Sequence, residues 1–253
     1  MPFKIQRYGW KPDIPDHRDI VAPLPLRTSG LPPEFSLRSK CPPIYDQMAL
    51  GSCVSNGIKF AVDFQRMKQG MPPLDGSRLF IYYNGRKIEG DDPAYDSGLQ
   101  VRTGIKSVVG YGVCPESAWP YNIDQFSVKP TTACYMDAVT HKTLKYQRVL
   151  QTLYGLKYQI CIKQIPVVFG FTVYESFESK ATATTGVMTM PSANDEIVGG
   201  HCISAIGFSN AKSAFEVRNS WGPDWGDAGH FWMPYEYATD PGLSDDFWEI
   251  TLE

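Results

Sequence analysis

The sequence has no long apolar run and no concentrated basic stretch. Its longest nearly apolar stretch, from Ile165 to Val173, is about half of the roughly 20 residues that a membrane helix needs. No more than two basic residues are adjacent, and 24 Lys and Arg against 27 Asp and Glu give a formal net charge of −3. Because nucleic-acid binding needs a concentrated basic face, we expect neither nucleic acid nor a membrane as a partner.

The sequence also lacks paired cysteines and a signal peptide. No CxxC pair occurs, so we predict no metal site and no cofactor. The first ten residues have no apolar centre, so we expect a protein that is intracellular or delivered by another route. With 43% apolar and 20% charged residues, the chain can bury a core. Its six cysteines are scattered singly: Cys41, Cys53, Cys114, Cys134, Cys161 and Cys202.

Proline and helical periodicity divide the first half of the chain. Residues 1–30 are rich in proline and are predicted to form an N-terminal extension that lies over a surface. Apolar residues at helical spacing after Ser52 predict a helix that ends at Gly70. A second helix is predicted after Ser77 and a third from about Leu99 to Val109.

Short β-prone runs dominate after residue 140, around residues 166–173, 202–208, 214–218 and 230–233. A helix from Thr152 to Lys163 is predicted to interrupt them. Helices first and strands later indicate an α+β fold. We expect a helical half at about 45–135, a β half at about 140–253, and a cleft between them.

Three separate residues could carry out nucleophilic chemistry. Cys53 begins a predicted helix, where backbone N–H groups and the helix dipole favour a thiolate. His201 opens an apolar strand, and Asn219 lies at the end of another. Each of them alone is more commonly structural. Together they have the order of a nucleophile, a base and an orienting amide.

With these residues in place, the chain resembles the papain-like cysteine peptidases. In that family His and Asn lie roughly 130 to 150 residues after Cys; here the separations are 201 − 53 = 148 and 219 − 53 = 166. Gln47 lies six residues before Cys53, and Asn219-Ser220-Trp221-Gly222 is the family's most specific signature. The short extension and the Gly9-Trp10-Lys11-Pro12-Asp13 stretch resemble a branch found in bacteria, archaea and large DNA viruses.

The resemblance implies a papain-like fold, with a helical subdomain, an antiparallel β-barrel-like subdomain and the active site in the cleft between them. It implies that Cys53 attacks the peptide carbonyl and that His201 gives its proton to the leaving amine. Asn219 would hold the imidazole, and the Gln47 amide would stabilise the oxyanion. Trp221 would cover the Asn219–His201 contact.

The chain departs from the family pattern beside the nucleophile. Val54 follows Cys53 where the family usually has Trp, and Leu50 replaces a disulfide cysteine whose partner position aligns with Asp96. The resemblance therefore implies no disulfide there. We expect Cys114, Cys134 and Cys161 to be buried thiols, and strand alternation predicts that Cys202 points away from the cleft.

Substrate contacts are also carried over from the resemblance. Gly98 and Leu99 replace a glycine pair that binds extended substrate, and we expect Leu99 either to narrow the cleft or to alter the backbone contact. Val101, Gly170 and Phe171 would line the pocket for the second side chain before the scissile bond. Either Asp245 or Asp246 could close this pocket and accept a basic side chain. Gly200 and Trp221 complete the predicted substrate-binding set.

Several alternatives stay open from the sequence. Residues 1–30 could be a short pro-segment across the cleft or an extension packed elsewhere on the fold. The protein could be an inactive relative that binds peptides, or an acyl transferase, although Asn219 favours a peptidase. We expect a monomeric endopeptidase that acts on protein or peptide substrates in the cytoplasm or inside a virion, with a flexible loop at residues 181–196 beside the cleft.

Overall fold

The computed structural model describes residues 8–26, 30–142 and 144–252. Helices dominate the first half, and two of the four begin at a side-chain cap. The Ser77 side chain accepts the N–H of Phe80 at the start of the second helix, and Gly90 ends it with a φ of 81°. These helices are α1 (Cys53–Lys68), α2 (Arg78–Glu89), α3 (Val101–Tyr111) and α4 (Thr132–Ala138).

The second half is built mainly from an antiparallel sheet in the order β4-β9-β5-β6-β7-β8, with β2 paired to β6. A separate parallel pair joins β1 to β3. The strands are β1 (Trp10–Lys11), β2 (Glu34–Ser36), β3 (Leu99–Gln100), β4 (Leu144–Arg148), β5 (Val167–Tyr174), β6 (Ile197–Ser209), β7 (Ala214–Arg218), β8 (His230–Pro234) and β9 (Ser244–Leu252). The short helices α5 (Leu153–Cys161), α6 (Lys180–Thr185) and α7 (Tyr235–Thr239) lie between strands. The α+β expectation is confirmed.

Some predicted boundaries were wrong. The third helix begins at Val101 because Leu99 and Gln100 pair with the N-terminal strand β1. Part of the loop expected at residues 181–196 is the helix α6, which Ser179 caps by accepting the N–H of Thr182. The sequence analysis missed β4 and β9, which are paired with each other.

The two halves meet where α1 packs on the sheet. Gly57 of α1 lies against Val168 of β5 and Cys202 of β6, and a Cβ there would be 3.3 Å from the Val168 side chain. Glycine therefore allows the helix to approach the sheet closely. This contact brings the first residue of α1, Cys53, beside β6. Within the described ranges, no helix has the length and apolar character needed to cross a bilayer.

Residues 8–22, here called the N-terminal segment, lie across the junction of the two halves. Trp10 pairs with Leu99 and Lys11 with Gln100. Farther along, Val21 pairs with Arg148, and the Ala22 N–H donates to the Arg148 carbonyl. Residues 1–7 and 27–29 of the expected extension lie outside the described residues.

Candidate active site

Cys53 is the first residue of α1 and has no exposed surface. The backbone N–H groups of Cys202, Gly9 and Val54 point at its sulfur and favour a thiolate. Burial opposes them and is the stronger effect, so the pKa of the Cys53 thiol is raised to about 11. In this closed arrangement the thiol is protonated at neutral pH.

His201 precedes Cys202 on β6, and the Cys202 N–H points at the Cys53 sulfur, so this strand runs past the thiol. The imidazole Nε2 is 2.8 Å from Asn219 Oδ1. Trp221 covers this pair, with its ring centroid 4.9 Å from that of His201. Burial lowers the pKa of His201 to about 4, against the opposite effect of the Asn219 hydrogen bond.

The Gln47 side chain is fully buried and held at both ends of its amide. Its Nε2 donates to the Leu50 carbonyl at 2.9 Å, and its Oε1 accepts the Ser220 hydroxyl at 2.6 Å. The Gln47 backbone N–H also donates to the Ser220 carbonyl. Ser220 therefore fixes the orientation of the Gln47 amide, a link that the sequence analysis missed.

The N-terminal segment covers the thiol and the imidazole. Gly9 is packed so closely that a Cβ would lie 1.8 Å from the Gly51 carbonyl oxygen. The Tyr8 ring lies edge-on to His201, with 6.0 Å between centroids, and its hydroxyl donates to Glu178 at 2.6 Å. Burial and Glu178 together raise the pKa of Tyr8. These contacts account for the complete burial of Cys53 and His201.

Trp10 fills a flat slot in the β half. A Cβ on Gly170 would lie 1.9 Å from its ring, and a Cβ on Gly200 would lie 2.7 Å from it. Both glycines are therefore required for a planar group to enter. The indole N–H donates to Asp246 Oδ2 at 3.1 Å, at the edge of the slot.

The two candidate aspartates of this pocket have different positions. Asp245 is exposed, whereas Asp246 is buried. Asp246 has a φ of 58°, and the β5–β9 register shifts nearby, between Val168 and Gly170. Such an irregularity in the ladder redirects a side chain. Asp246 is the one that reaches the Trp10 slot.

Of the two effects expected of Leu99, the narrowing of the cleft is wrong, whereas an altered backbone contact stays a prediction. Its side chain is buried between α2 and α3, where a Cβ on Gly85 would lie 2.7 Å from it and one on Gly104 would lie 3.1 Å from it. Only the Leu99 backbone faces the cleft, and its N–H donates to the Gly9 carbonyl at 2.7 Å. Gly98 has a φ of 76°, and a Cβ added there would collide with the Gly9 carbonyl.

Other sequence-predicted residues lie behind the site rather than in the slot. The Phe171 ring is 5.8 Å from that of His201 and packs on Phe177 in the sheet core. Val101 is buried in the helical core. The Cys202 sulfur packs on Gly57 of α1, in keeping with strand alternation.

Asp96 lies at one of the two positions where the family has a disulfide that this chain lacks, and its hydrogen bonds replace that connection. Asp96 accepts the Gly51 N–H at 3.0 Å and the Tyr82 hydroxyl. This ties the loop before β3 to the turn before α1. The cysteines of the described chain are all free thiols, and Cys114, Cys134 and Cys161 are buried as expected.

The arrangement offers a nucleophile, a proton carrier oriented by an amide, and an N–H donor. Among the described residues, His201 Nδ1 has no hydrogen-bond partner, which leaves it available for proton exchange with the thiol. These same residues contain no cluster of metal-ligating side chains. The sequence analysis assigned no site role to Tyr8, Gly9 and Trp10, although Gly9 and Trp10 belong to the N-terminal stretch that it singled out.

Comparisons with known proteins cover nearly the whole chain. A family model described as papain family cysteine protease matches residues 95–247. The uncharacterized peptidase C1-like protein L477 of Acanthamoeba polyphaga mimivirus is 37% identical over 271 residues, which span 97% of this chain and 86% of the viral protein.

Solved structures agree with this fold. Xylellain, a cysteine protease from Xylella fastidiosa, has 40% sequence identity and a TM-score of 0.88, with 97% of this chain and 96% of that chain covered. Digestive procathepsin L 3 of Tenebrio molitor shares the fold at 17% identity, with a TM-score of 0.71 over 98% of this chain and 76% of that chain. The expected papain-like fold is confirmed.

Proposed function

We propose that this chain, which belongs to the papain family of cysteine peptidases, hydrolyses peptide bonds through a thiolate at Cys53. The observation that supports this role best is the buried His201–Asn219 pair, because Cys202, which follows His201 on β6, directs its N–H at the Cys53 sulfur at the start of α1. A thiolate is the reactive form of cysteine, and a neighbouring imidazolium and a helix N-terminus both stabilise it.

His201 accepts the thiol proton and then donates it to the leaving amine. Asn219 keeps the imidazole oriented through the 2.8 Å contact to Nε2, so that Nδ1 faces the sulfur side. Trp221 excludes water from that hydrogen bond. The Gln47 amide and the Cys53 backbone N–H stabilise the oxyanion of the tetrahedral intermediate, which is worth about 3 kcal/mol per donor in comparable sites.

The N-terminal segment acts as a short pro-segment within the expected extension of residues 1–30. The Gly9 N–H points at the Cys53 sulfur, whereas the Gly9 carbonyl accepts the Leu99 N–H at 2.7 Å and Gln47 Nε2 donates to Leu50. The Gly9 carbonyl therefore receives no hydrogen bond from Gln47, the proposed oxyanion donor. This explains why the segment can cover Cys53 without being cut. Departure of the segment rehydrates Cys53 and His201 and removes the main cause of their shifted pKa values.

Substrate takes the place that the segment leaves. The backbone at Gly98 and Leu99 binds the extended substrate chain, and Gly170 and Gly200 frame the slot for a side chain. Asp246, rather than Asp245, receives the polar end of that side chain. Because a buried carboxylate favours a cationic partner, substrates with Arg in the slot are cut faster than those with Leu. Val101 and Phe171 support this pocket from behind.

The finer properties follow the sequence analysis. We expect an endopeptidase that acts as a monomer on protein or peptide substrates. Its location in the cytoplasm or inside a virion, the absence of a nucleic-acid partner, and the division into halves at about 45–135 and 140–253 stay predictions.

A peptide-library digestion tests the proposal. The full chain and a Trp10→Ala variant, which empties the slot, are compared with Cys53→Ala under reducing conditions. Cys161→Ala is the matched control, because Cys161 lies in the sheet core away from the site. We expect that only Cys53→Ala loses cleavage. Among the cleaved peptides, we expect Arg to be enriched at the position whose side chain enters the slot. If the wild type and all variants bind peptides but leave them intact, the protein is not a peptidase.

A further inference from the structure

A cluster of buried charges lies beneath Trp10, where the N-terminal segment meets the fold. Asp13 and Asp19 come from the segment, Asp246 from β9, Arg102 from α3 and Arg148 from β4. The Asp13 and Asp246 side chains are 0% and 1% exposed. No contact in this cluster involves the proposed nucleophile or its proton carrier.

Arg148 connects all three carboxylates. Its Nε donates to Asp19 at 2.7 Å, its Nη2 to Asp13 at 3.3 Å and its Nη1 to Asp246 at 3.3 Å. Arg102 donates through Nη1 to Asp19 at 2.7 Å. Arg148 thus makes its shortest bond to Asp19, and Asp13 and Asp246 accept its longer ones. Arg102 also donates through Nη2 to the Ile14 carbonyl.

Asp13 and Asp246 are also joined directly through the backbone. The Asp13 N–H donates to Asp246 Oδ2 at 2.7 Å, the same oxygen that accepts the Trp10 indole. Asp13 itself accepts the Arg102 N–H at 3.0 Å and the Trp248 indole at 2.9 Å. Neither carboxylate can move out into water while Trp10 is seated.

The closed cluster has one more acid than base: Asp13, Asp19 and Asp246 against Arg102 and Arg148. Burial and the neighbouring Asp246 raise the pKa of Asp13 to about 7, and burial also raises that of Asp246. The pair therefore holds a shared proton in acid. The other titratable groups facing it are Asp245, which is exposed, and the buried Cys202 thiol.

When the N-terminal segment leaves the fold, the excess negative charge of the cluster is removed. Asp13 and Asp19 leave with the segment, and Asp246 then remains with Arg148 as a balanced pair. Closing the segment brings two further carboxylates onto a site that already holds one. A proton is needed to compensate for this, because unpaired buried charge is costly.

We propose that Asp13 and Asp246 form a proton-dependent latch, which holds the N-terminal segment over Cys53 in acid and releases it as the pH rises to neutral. This regulation rests on the proposed function, in which the segment blocks the active site. The latch differs from a simple cover because the strength of blocking depends on one shared proton.

The direction follows from linkage. An exposed aspartate has a pKa of about 3.9, and the docked value of Asp13 is about 7. Docking is thus strongest at a pH below the pKa of free aspartate. It weakens as the pH rises from that pKa to the pKa of docked Asp13, and for one proton the docking equilibrium constant falls by at most about tenfold per pH unit. Above the docked value the docking strength becomes constant.

The experiment measures how strongly the segment protects Cys53. The full chain and Trp10→Ala are treated with 2,2′-dipyridyl disulfide at pH 5 to 8, and modification of Cys53 is followed by peptide mass mapping. The ratio of the Trp10→Ala rate to the full-chain rate is the protection, and this ratio cancels the intrinsic pH dependence of the thiol. We expect protection to fall at least tenfold from pH 5 to pH 7.5.

Charge variants in the full chain identify the responsible groups. Asp13→Asn removes the shared proton, and Asp19→Asn balances the cluster, so both should make protection nearly independent of pH. Asp224→Asn is the control, since Asp224 is exposed and lies between β7 and β8, outside the segment and the cluster, and it should keep the wild-type profile. If the Asp13→Asn segment no longer docks and all protection is lost, the pH profile of Asp19→Asn tests the latch instead.

Three results would overturn the latch. Protection that is high but constant with pH in the wild type would leave the blocking segment in place and reject the shared proton. A profile unchanged in Asp19→Asn would also reject it. Absence of protection at every pH would reject the blocking segment as well, and so separates failure of the latch from failure of the pro-segment.

Discussion

The closest approach in the site, between Gly9 and Gly51, gives the sharpest mutational prediction. A methyl group at residue 9 would lie 1.8 Å from the Gly51 carbonyl oxygen and 2.3 Å from its carbon, far inside the 3.5–4.0 Å of a normal contact. Both atoms are backbone, so no side chain can rotate away. Gly9→Ala therefore prevents the segment from docking as it does in the wild type.

The magnitude can be estimated from the contacts that docking makes here. Displacing residue 9 breaks the Leu99 N–H bond to the Gly9 carbonyl, worth about 1 kcal/mol. It also unseats the half-buried Trp10, whose partial burial contributes about 2 kcal/mol. At about 1.4 kcal/mol per factor of ten, the open fraction rises roughly a hundredfold.

The assay is alkylation of Cys53 by iodoacetamide at pH 5, where the latch holds the segment docked, and it is read by peptide mass mapping. We expect Gly9→Ala to react roughly a hundredfold faster than the wild type, with cleavage of peptides increased in parallel. Gly30→Ala is the matched control, because a Cβ there meets nothing within 4 Å. Equal alkylation rates in a folded Gly9→Ala chain would refute the reasoning.

The remaining predictions concern the chemical step and its pH dependence. Asn219→Ala removes the hydrogen bond to the imidazole, so kcat should fall by about ten- to a hundredfold while thermal unfolding, measured by circular dichroism, changes little. Ser220→Ala frees the Gln47 amide, so kcat should fall while KM is unchanged; an increase in KM alone would contradict oxyanion stabilisation. In the closed chain the pKa of Cys53 is raised to about 11, so between pH 5 and pH 7 its alkylation rate should rise by at least about tenfold per pH unit. The rate in Gly9→Ala should level off at lower pH, and identical profiles would disprove the effect of burial.

The helices of the first half and the central strands could be predicted from the sequence, because caps and apolar periodicity are local signals. Ser77 and Gly90 mark the ends of α2 by their side-chain and backbone chemistry. The strands β4 and β9 were missed because their signal is weaker. β4 (Leu144–Arg148) includes charged and polar residues, and its place in the sheet depends on pairing with the C-terminal β9.

The proposed catalytic residues could be named from residue types and order, since a thiol, an imidazole and an amide have few other joint uses. Their spatial relation could not, because Cys53 meets β6 only through the packing of α1 on the sheet at Gly57. The direction of the Leu99 side chain was also beyond the sequence. It is set by the room that Gly85 and Gly104 leave between two helices.

The slot explains why the covering segment and the proposed substrate site are difficult to separate. Gly170 and Gly200 leave a flat space that Trp10 fills, and any side chain at either position would exclude the ring. In the proposed function, substrate thus uses the same two glycines and the same carboxylate, Asp246, as the segment does. A substitution at Gly170 that blocks the segment also blocks the substrate, whereas Gly9→Ala acts on the segment alone. Residue 9 is therefore the position at which covering and catalysis can be varied independently.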